Sequence, residues 1–415
     1  MKIAIWHNLP SGGGKRALFY HVRGLVERGH TIEVWCPPTA DQTYLPLKPL
    51  ATEHIVPLDW APRATRNPLA KPLASYHNVI GRMAAIDRHC RQCADEINRG
   101  GFDLLFANGC KFFHAAPIGR YVKLPSVLYL QEPYRPLYEA LPQLPWLAIP
   151  AAGRMWWRPG YVARFLRDAI RVQALRIQAR EELTSARAFT TILANSLFSR
   201  ESILRAYGLA ANVCYLGVDT SVFQNHAAAR EAFVIGLGGF SQAKNIPFVI
   251  EALAHTSAPR PKLVWVGNAN NMAHLEAMQQ LAATVGVDFE PLLNVSDQQL
   301  VDLLNRAMAM VYAPRLEPFG FAPLEANACG TPVIAVAEGG VRETVIDGVN
   351  GLLVDATPHA IARAIEYLRD HPDIAHELGA AGRRMVAQRW SLEAAIDRIE
   401  QQLAQTLENA RQSRL

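Results

Sequence analysis

No run of apolar residues approaches the ~18 that a membrane-crossing helix needs. The best candidate, "LPQLPWLAIPAAG" at 141–153, is interrupted by three prolines. The opening "MKIAIWHNLPSGGGKR" turns polar too soon for a secretory signal, so none is expected. Cysteine is scarce: the six residues at 36, 90, 93, 110, 214 and 329 are too scattered for a disulfide framework and suit a reducing compartment. The one close pair, "CRQC" at 90–93, has neither the second pair of a zinc site nor the strand-to-helix junction of a redox motif, so both thiols read as structural. Internal repeats and low-complexity tracts are also missing. What is left is an ordinary globular composition, 50% apolar and 19% charged, in a chain long enough for two domains.

Charge is present but unevenly placed. Residues 1–225 hold 27 Lys or Arg against 16 Asp or Glu, whereas 226–415 hold 15 against 21. The first half therefore faces an anionic partner, a membrane surface or a phosphorylated substrate. Arginine concentrates in 152–180, where seven stand against one acid beside Trp156 and Trp157. Cations beside interfacial rings are what an element lying on an anionic bilayer needs; a solvated helix whose arginines cover the core has the same composition. Pro142, Pro145 and Pro150 make the preceding loop irregular.

The chain opens strand, glycine turn, helix, strand: "KIAIWH", "NLPSGGGK", "RALFYHVRGLVERGH", "TIEVWCP". Ala17, Leu18, Val22, Leu25 and Val26 recur at helical spacing, and Gly29 follows where a helix C-terminus wants glycine. Short apolar strands recur at "FDLLFAN", "PSVLYLQ" and "AFTTILAN". After "GVDTSVFQNHAAAREA" a second series runs through "AFVIGLGG", "PKLVWVGN", "VDFEPLL", "AMVYAP" and "TPVIAVA" with helices between. This alternation predicts an α/β protein of two doubly wound parallel-sheet domains, 1–225 and 226–390, followed by a helical tail over 391–415.

In "LEPFGFAPLEANACGTP", Glu317 and Glu325 flank a Gly-Phe turn at the carboxyl end of a predicted strand, where open α/β sheets bind ligands. Pro323 reads as the first residue of the next helix. The free N–H groups of Gly320 to Ala322 would then form an anion site. Carboxylates repel phosphate but accept hydrogen bonds from paired hydroxyls. A ligand with hydroxyls at both ends and a diphosphate between them fits, and a nucleotide sugar has that form. Spacing alone leaves Glu325 equally well explained as a favourable first-turn acid on a surface helix.

The continuous stretch "EPFGFAPLEANACGTPVIAVAEGGVRETVIDGVNGLLV" resembles the retaining glycosyltransferases of the GT-B fold, family four, the glycosyl transferases group 1 type. Further likeness lies in "GGGKRALFYHVRGLVERGHTIEV", "ILANSLFSRESILRAYG", "LGVDTSVF" and Trp390. The resemblance implies two Rossmann-like domains facing a cleft, with the donor in the second, the acceptor in the first and the last helix crossing back. It implies that Glu325 meets the donor ribose, Glu317 the donor sugar's hydroxyls, and Gly320, Phe321 and Ala322 the donor through backbone amides. Lys244 in "GGFSQAKN" takes the diphosphate-binding lysine position, with Gly13 and Gly14 as the glycine loop over the diphosphate. No metal and no other cofactor are implied, since a lysine beside N–H groups neutralises a departing diphosphate.

Two positions depart from the pattern. Gly239 stands where an arginine is usual, with Lys15 or Arg16 as candidate substitutes. Gln131, in "VLYLQEPYRPLYE", replaces a histidine near the reacting sugar and cannot act as a base. Front-face displacement, in which the leaving phosphate oxygen takes the acceptor proton, needs no such base. Glu132 and Arg135 remain candidate acceptor contacts; His7 and His114 read as structural or acceptor-lining.

The expected activity is transfer of a hexose, with retention, from a UDP- or GDP-sugar to a glycan or lipid-linked acceptor of the cell envelope or an exopolysaccharide, in the cytoplasm or on the inner membrane face, with no nucleic-acid partner. The alternative is a catalytically degenerate binder of nucleotide sugar or glycan. An NAD oxidoreductase is disfavoured: "GLGGFS" has Ser241 where the fingerprint needs glycine.

Overall fold

The computed structural model describes residues 1–67, 70–139, 147–150, 153, 156–268 and 271–413. Pro142 and Pro145 of the loop before the basic segment, and Arg154 within it, lie outside them. The chain divides into two compact units: Met1–Ala194 with Arg200–Cys214 and Ile396–Leu415, and Asn195–Ser199 with Tyr215–Ala395. The last helix, Leu392–Gln412, gives its residues from Ile396 onward to the first unit.

The first unit is built on a seven-stranded sheet from β1 (Lys2–Asn8), β2 (Thr31–Cys36), β3 (Thr52–Ile55), β4 (Leu104–Cys110), β5 (Ser126–Gln131), β6 (Thr191–Ala194) and β7 (Asn212–Val213). Their order is β3-β2-β1-β4-β5-β6-β7 and every pairing is parallel. The second unit holds β8 (Glu231–Leu237), β9 (Lys262–Gly267), β10 (Phe289–Leu293), β11 (Ala307–Tyr312), β12 (Val333–Val336) and β13 (Gly351–Val354). These are ordered β10-β9-β8-β11-β12-β13, again all parallel. Strands covered by helices on both faces are buried on both sides. Ile3–Asn8 and Val333–Val336 are accordingly buried without alternation.

β3, β7 and β13 are absent from the sequence reading. β3, "TEHI", has no fully buried residue, and β7 is two residues long, so neither shows an apolar run. The helix after β11 also starts earlier than expected. It spans Phe321–Ala328 behind an N-terminal Gly320 at φ 96°, so Pro323 is its third residue rather than its first.

Strand order reverses between β1 and β4 in one unit and between β8 and β11 in the other. Loops leaving the carboxyl ends of these neighbouring strands diverge and open a crevice. The cores lie under them. Trp6, Trp35, Phe102, Leu105 and Ile118 pack in the first unit, and Val234, Ile250, Trp265, Val311 and Ile365 in the second.

In the second unit, helix Pro372–Arg389 packs on helix Phe321–Ala328 through a glycine contact. A Cβ on Gly379 would lie 1.9 Å from the Gly330 carbonyl oxygen, a backbone atom that cannot swing aside. Gly379→Ala should lower stability by about 3 kcal/mol, the upper end for an overpacked site, read as a reduced urea midpoint at unchanged m-value. Gly239→Ala, whose Cβ meets nothing within 4 Å, should leave the midpoint unchanged.

Candidate functional site

In the second unit, the loops leaving β8 and β11 carry the residues singled out from sequence. After β8 the chain passes through Gly238 at φ 144°, whose carbonyl accepts a 2.8 Å hydrogen bond from Trp265 Nε1. The aliphatic stem of Lys244 lies over Gly238; a Cβ there would come within 2.9 Å of Lys244 Cγ and Cδ. Asn245 follows in the left-handed region at φ 56°, its side-chain amide donating to the Ala313 carbonyl at 3.1 Å. The Lys244 turn is thereby pinned to the loop after β11.

That second loop is held as firmly. Leu316 sits at φ 46°, a strained value for a branched residue next to Glu317. The Glu317 carbonyl accepts from Gly340 N–H at 2.7 Å, and the Pro318 carbonyl accepts from Ser196 Oγ at 2.5 Å. Side chains at Gly339 or Gly340 are excluded, because their Cβ atoms would lie 2.4 and 2.0 Å from the Glu317 and Pro318 carbonyl oxygens. With its backbone clamped, Glu317 extends its carboxylate to Lys244 Nζ at 2.9 Å, both side chains remaining about a quarter exposed or less.

Helix Phe321–Ala328 begins immediately beyond. Its first N–H groups, on Phe321 and Ala322, have no partner within the helix. Pro323, the next residue, has no N–H to add to those of Gly320, Phe321 and Ala322. Gly320 is a genuine left-handed position at φ 96°, and Glu325 is buried at 5% exposure. A lysine ammonium, a carboxylate and a helix N-terminus thus meet at the β8/β11 reversal. The cation and N–H groups suit phosphate oxygens; the carboxylate suits hydroxyls. At Gly239 a side chain would enter open space, so the missing arginine removes a charge and no packing.

In the first unit, Gly12 adopts φ 133° and ψ −166°, open only to glycine, and helix Gly13–Glu27 starts from it. A Cβ on Gly14 would be 3.6 Å from both amide atoms of Gln131, so these two predicted residues are neighbours. Gln131 closes β5 at φ 64°, inside a three-residue turn where Glu132 N–H donates to the Leu130 carbonyl at 2.8 Å. Such turns are rare and strained. Gln131 Nε2 is buried there without an acceptor.

The two candidate substitutes for the missing arginine differ in setting. Lys15 is fully buried, its ammonium disfavoured by burial and supported by the charges of Glu53 and Asp41. Arg16 Nε donates to Tyr44 Oη at 2.9 Å. His7, Cys36 and Glu53 place ligand-type atoms within 4.8 Å of one another, a set that could hold a metal. The chemistry fits poorly. Leu9 N–H donates to His7 Nδ1, which leaves the ring proton on Nε2, and burial pushes the Cys36 thiol up to about 11.

His7 is wholly buried with its pKa lowered to about 3, and His114 hydrogen-bonds the Glu132 carbonyl at 3.1 Å through Nδ1, so neither acts as an exposed base. Arg135 Nε lies 3.6 Å from Glu132 and 3.3 Å from Glu139. Asn8 and Asn108, both fully buried at the carboxyl ends of β1 and β4, escaped the sequence reading; Asn108 has neither amide atom hydrogen-bonded. Polar residues closing the apolar runs "KIAIWHN" and "LLFANGC" were the available signal.

Two parallel-sheet Rossmann-like units with strand ends furnished in this way define the GT-B class. The chain aligns with the sucrose-phosphate synthase structure from Thermosynechococcus elongatus at TM-score 0.73 and 18% identity, covering 99% of this chain and 100% of that one. It aligns with the Anabaena HepE complex with UDP-glucose at TM-score 0.68 and 18% identity, over 98% and 100%. Residues 218–385, within the second unit, match the family described as glycosyl transferases group 1. Human alpha-1,3/1,6-mannosyltransferase ALG2 is 26% identical over 246 residues, 53% of this chain and 59% of that protein. The chain spans about half the length of the curated relatives it matches, 45% of mouse ALG2 and 59% of human.

Burial of two neutral histidines, His7 in β1 and His21 in helix Gly13–Glu27, gives the first unit's stability a defined pH dependence. His7 and His21 titrate near 3 and 4 in the folded chain against 6.5 unfolded, so the unfolded state binds more protons below pH 6.5. Their contribution is complete above that pH and is lost as pH falls towards 4 and 3, by up to about 1.36 kcal/mol per pH unit for each ring. The urea midpoint should fall between pH 7 and 4, and the fall should be shallower in His7→Gln/His21→Gln. An unchanged pH slope in that variant would count against the assignment.

Proposed function

We propose that the chain is a retaining hexosyltransferase that uses a UDP- or GDP-sugar and needs no metal. The observation that carries this is the Lys244–Glu317 pair at 2.9 Å beside the N-terminus of helix Phe321–Ala328, at a strand-order reversal. In this reading Lys244 and the N–H groups of Phe321 and Ala322 take the diphosphate, Glu317 exchanges Lys244 for sugar hydroxyls, and Glu325 accepts from the ribose. Gln131 has no basic group, so proton transfer runs to the leaving phosphate oxygen. The group 1 match and the relationship to a mannosyltransferase support the class of reaction.

A thermal-shift screen of UDP, GDP, ADP and their sugar conjugates with EDTA throughout tests it. One diphosphate series should raise the melting temperature by mass action, by about 2.7 kcal/mol of stability at a hundredfold excess over Kd. Glu325→Ala should weaken donor binding about tenfold or more, the cost of a charged hydrogen bond, while Glu317→Ala should mainly lower turnover. A shift that appears only in a parallel screen without EDTA would refute the metal-free reading. Donor binding without transfer or donor hydrolysis across an acceptor panel would favour the degenerate binder, for which Gly239 and Gln131 are the motivating residues.

The acceptor, on this proposal, is a glycan or lipid-linked saccharide of envelope or exopolysaccharide synthesis presented at an anionic membrane face. The first half of helix Pro159–Ala186 supports it: its first buried residue is Gln178, and Val162, Phe165 and Leu166 are exposed. Trp156 and Trp157 precede it at 68% and 64% exposure, among Arg158, Arg164, Arg167 and Arg171. No helix among the described residues is long and apolar enough to cross a membrane. Vesicles containing phosphatidylglycerol should sediment the protein at low salt, with each exposed arginine neutralised to glutamine costing about 1 kcal/mol, roughly fivefold. Trp156→Ala/Trp157→Ala should weaken it further. Failure to bind at any salt concentration would refute the surface.

A further inference from the structure

The first unit contains a second cavity that the donor reading leaves unused. It lies between the segment 60–65 and the first turns of helix Lys71–Arg99, and has a volume of about 480 Å³. That falls within the ~300–1,000 Å³ usual for small-molecule sites. One wall is a single helix face: Lys71, Ala74, Ser75, Asn78, Val79 and Arg82 recur at three- and four-residue spacing. The other wall is Trp60, Pro62, Arg63 and Thr65.

The lining contains three cations and no carboxylate. Among the described residues, no carboxylate pairs with Arg82. Its guanidinium carbon stands 5.9, 4.9 and 5.4 Å from the ring centroids of Trp60, Phe112 and Phe113, and its Nε is buried without an acceptor. Burial lowers its pKa, and the groups that oppose this are the Cys110 thiol and the Tyr134 phenol, with no carboxylate among them. Aromatic faces hold a guanidinium while leaving its donor edge unspent. The opposite wall is also fixed: Asn78 accepts from Arg63 N–H at 2.7 Å and donates to the Arg63 carbonyl at 3.1 Å. Gly81 faces Trp60, where a Cβ would meet the indole Nε1 in ordinary contact at 3.4 Å, so the helix lies against that ring.

We propose that this cleft binds the anionic group, a phosphate ester or a carboxylate, of a monosaccharide-sized ligand. Arg82, Arg63 and Lys71 supply the charge. The Ser75 and Thr65 hydroxyls and the Trp60 ring supply contacts that suit sugar hydroxyls and C–H faces. The cavity is too small for a polymer strand and carries too few cations to track a nucleic-acid backbone.

Calorimetric titration of the full chain with glucose 6-phosphate, glucuronate and methyl glucoside tests it. The two anionic probes should bind with dissociation constants of about 1 mM or better, and the neutral one at least about tenfold more weakly. Arg63→Glu/Lys71→Glu, two surface changes outside the packed aromatic cluster, should weaken both anionic probes about tenfold or more. The same variant should keep the nucleotide-induced melting shift, which separates this site from the donor site. Equal binding of charged and neutral sugars, no binding of either anionic probe, or unchanged affinity after charge reversal would overturn the proposal. Anionic-sugar binding without any nucleotide shift would instead leave this site standing and remove the donor reading.

Discussion

A parallel sheet covered by helices on both faces leaves almost nowhere for charge. Along β1, β4, β8, β11 and β12 the strand interiors are buried, and an unpaired ion there would cost more than any single contact returns. Polar groups are displaced to the strand ends, and at the carboxyl ends of neighbours whose order reverses the loops part and can hold a ligand. In each unit the residues with chemistry to offer collect at that reversal. Gly12, Gly14, Gln131, Asn8 and Asn108 do so in the first, Lys244, Glu317, Gly320 and Glu325 in the second.

Backbone strain marks the same places. Among the described residues, non-glycine positive φ occurs at Leu45, Gln131, Ala227, Asn245, Asn294 and Leu316. Three of these are either a predicted site residue or its immediate neighbour: Gln131 itself, Asn245 beside Lys244, and Leu316 beside Glu317. Such conformations persist only where surrounding contacts over-determine them. Here those contacts are visible as the Asn245 bond to Ala313, the Gly340 bond to the Glu317 carbonyl and the Ser196 bond to Pro318. The strained loops aim Lys244 and Glu317 at one another.

Much of this was legible in the sequence, because continuous apolar strands and glycine-flanked turns leave strong local signals. β1, β4, β5, β8, β9, β11 and β12 all stand where apolar runs placed them, and Glu317 and Lys244, picked out in separate motifs, lie 2.9 Å apart. What was hidden depends on the third dimension. The first turn of helix Phe321–Ala328 is fixed by Gly320 in the left-handed region, which overrides the preference of Pro323 for the first position. Lys15 looks like an available cation beside a glycine loop, yet helix Gly13–Glu27 turns it inward among Glu53, Cys36 and His7. Trp60 and Arg82 are twenty-two positions apart and share no motif, so their cleft emerges only when helix Lys71–Arg99 lies against the 60–65 segment.

The two departures from the family pattern differ in physical kind. At Gly239 the structure has lost only a side chain: the position is open, and nothing packs into the space an arginine would fill. At Gln131 the backbone has been kept in a strained turn, and its buried amide nitrogen is left without an acceptor 3.6 Å from where a Gly14 side chain would begin. An unspent buried donor beside an obligatory glycine turn costs stability with no structural return. Asn108, whose amide atoms are likewise buried without partners, adds to the unspent hydrogen-bonding capacity at the first unit's strand ends, which a ligand's polar atoms would satisfy.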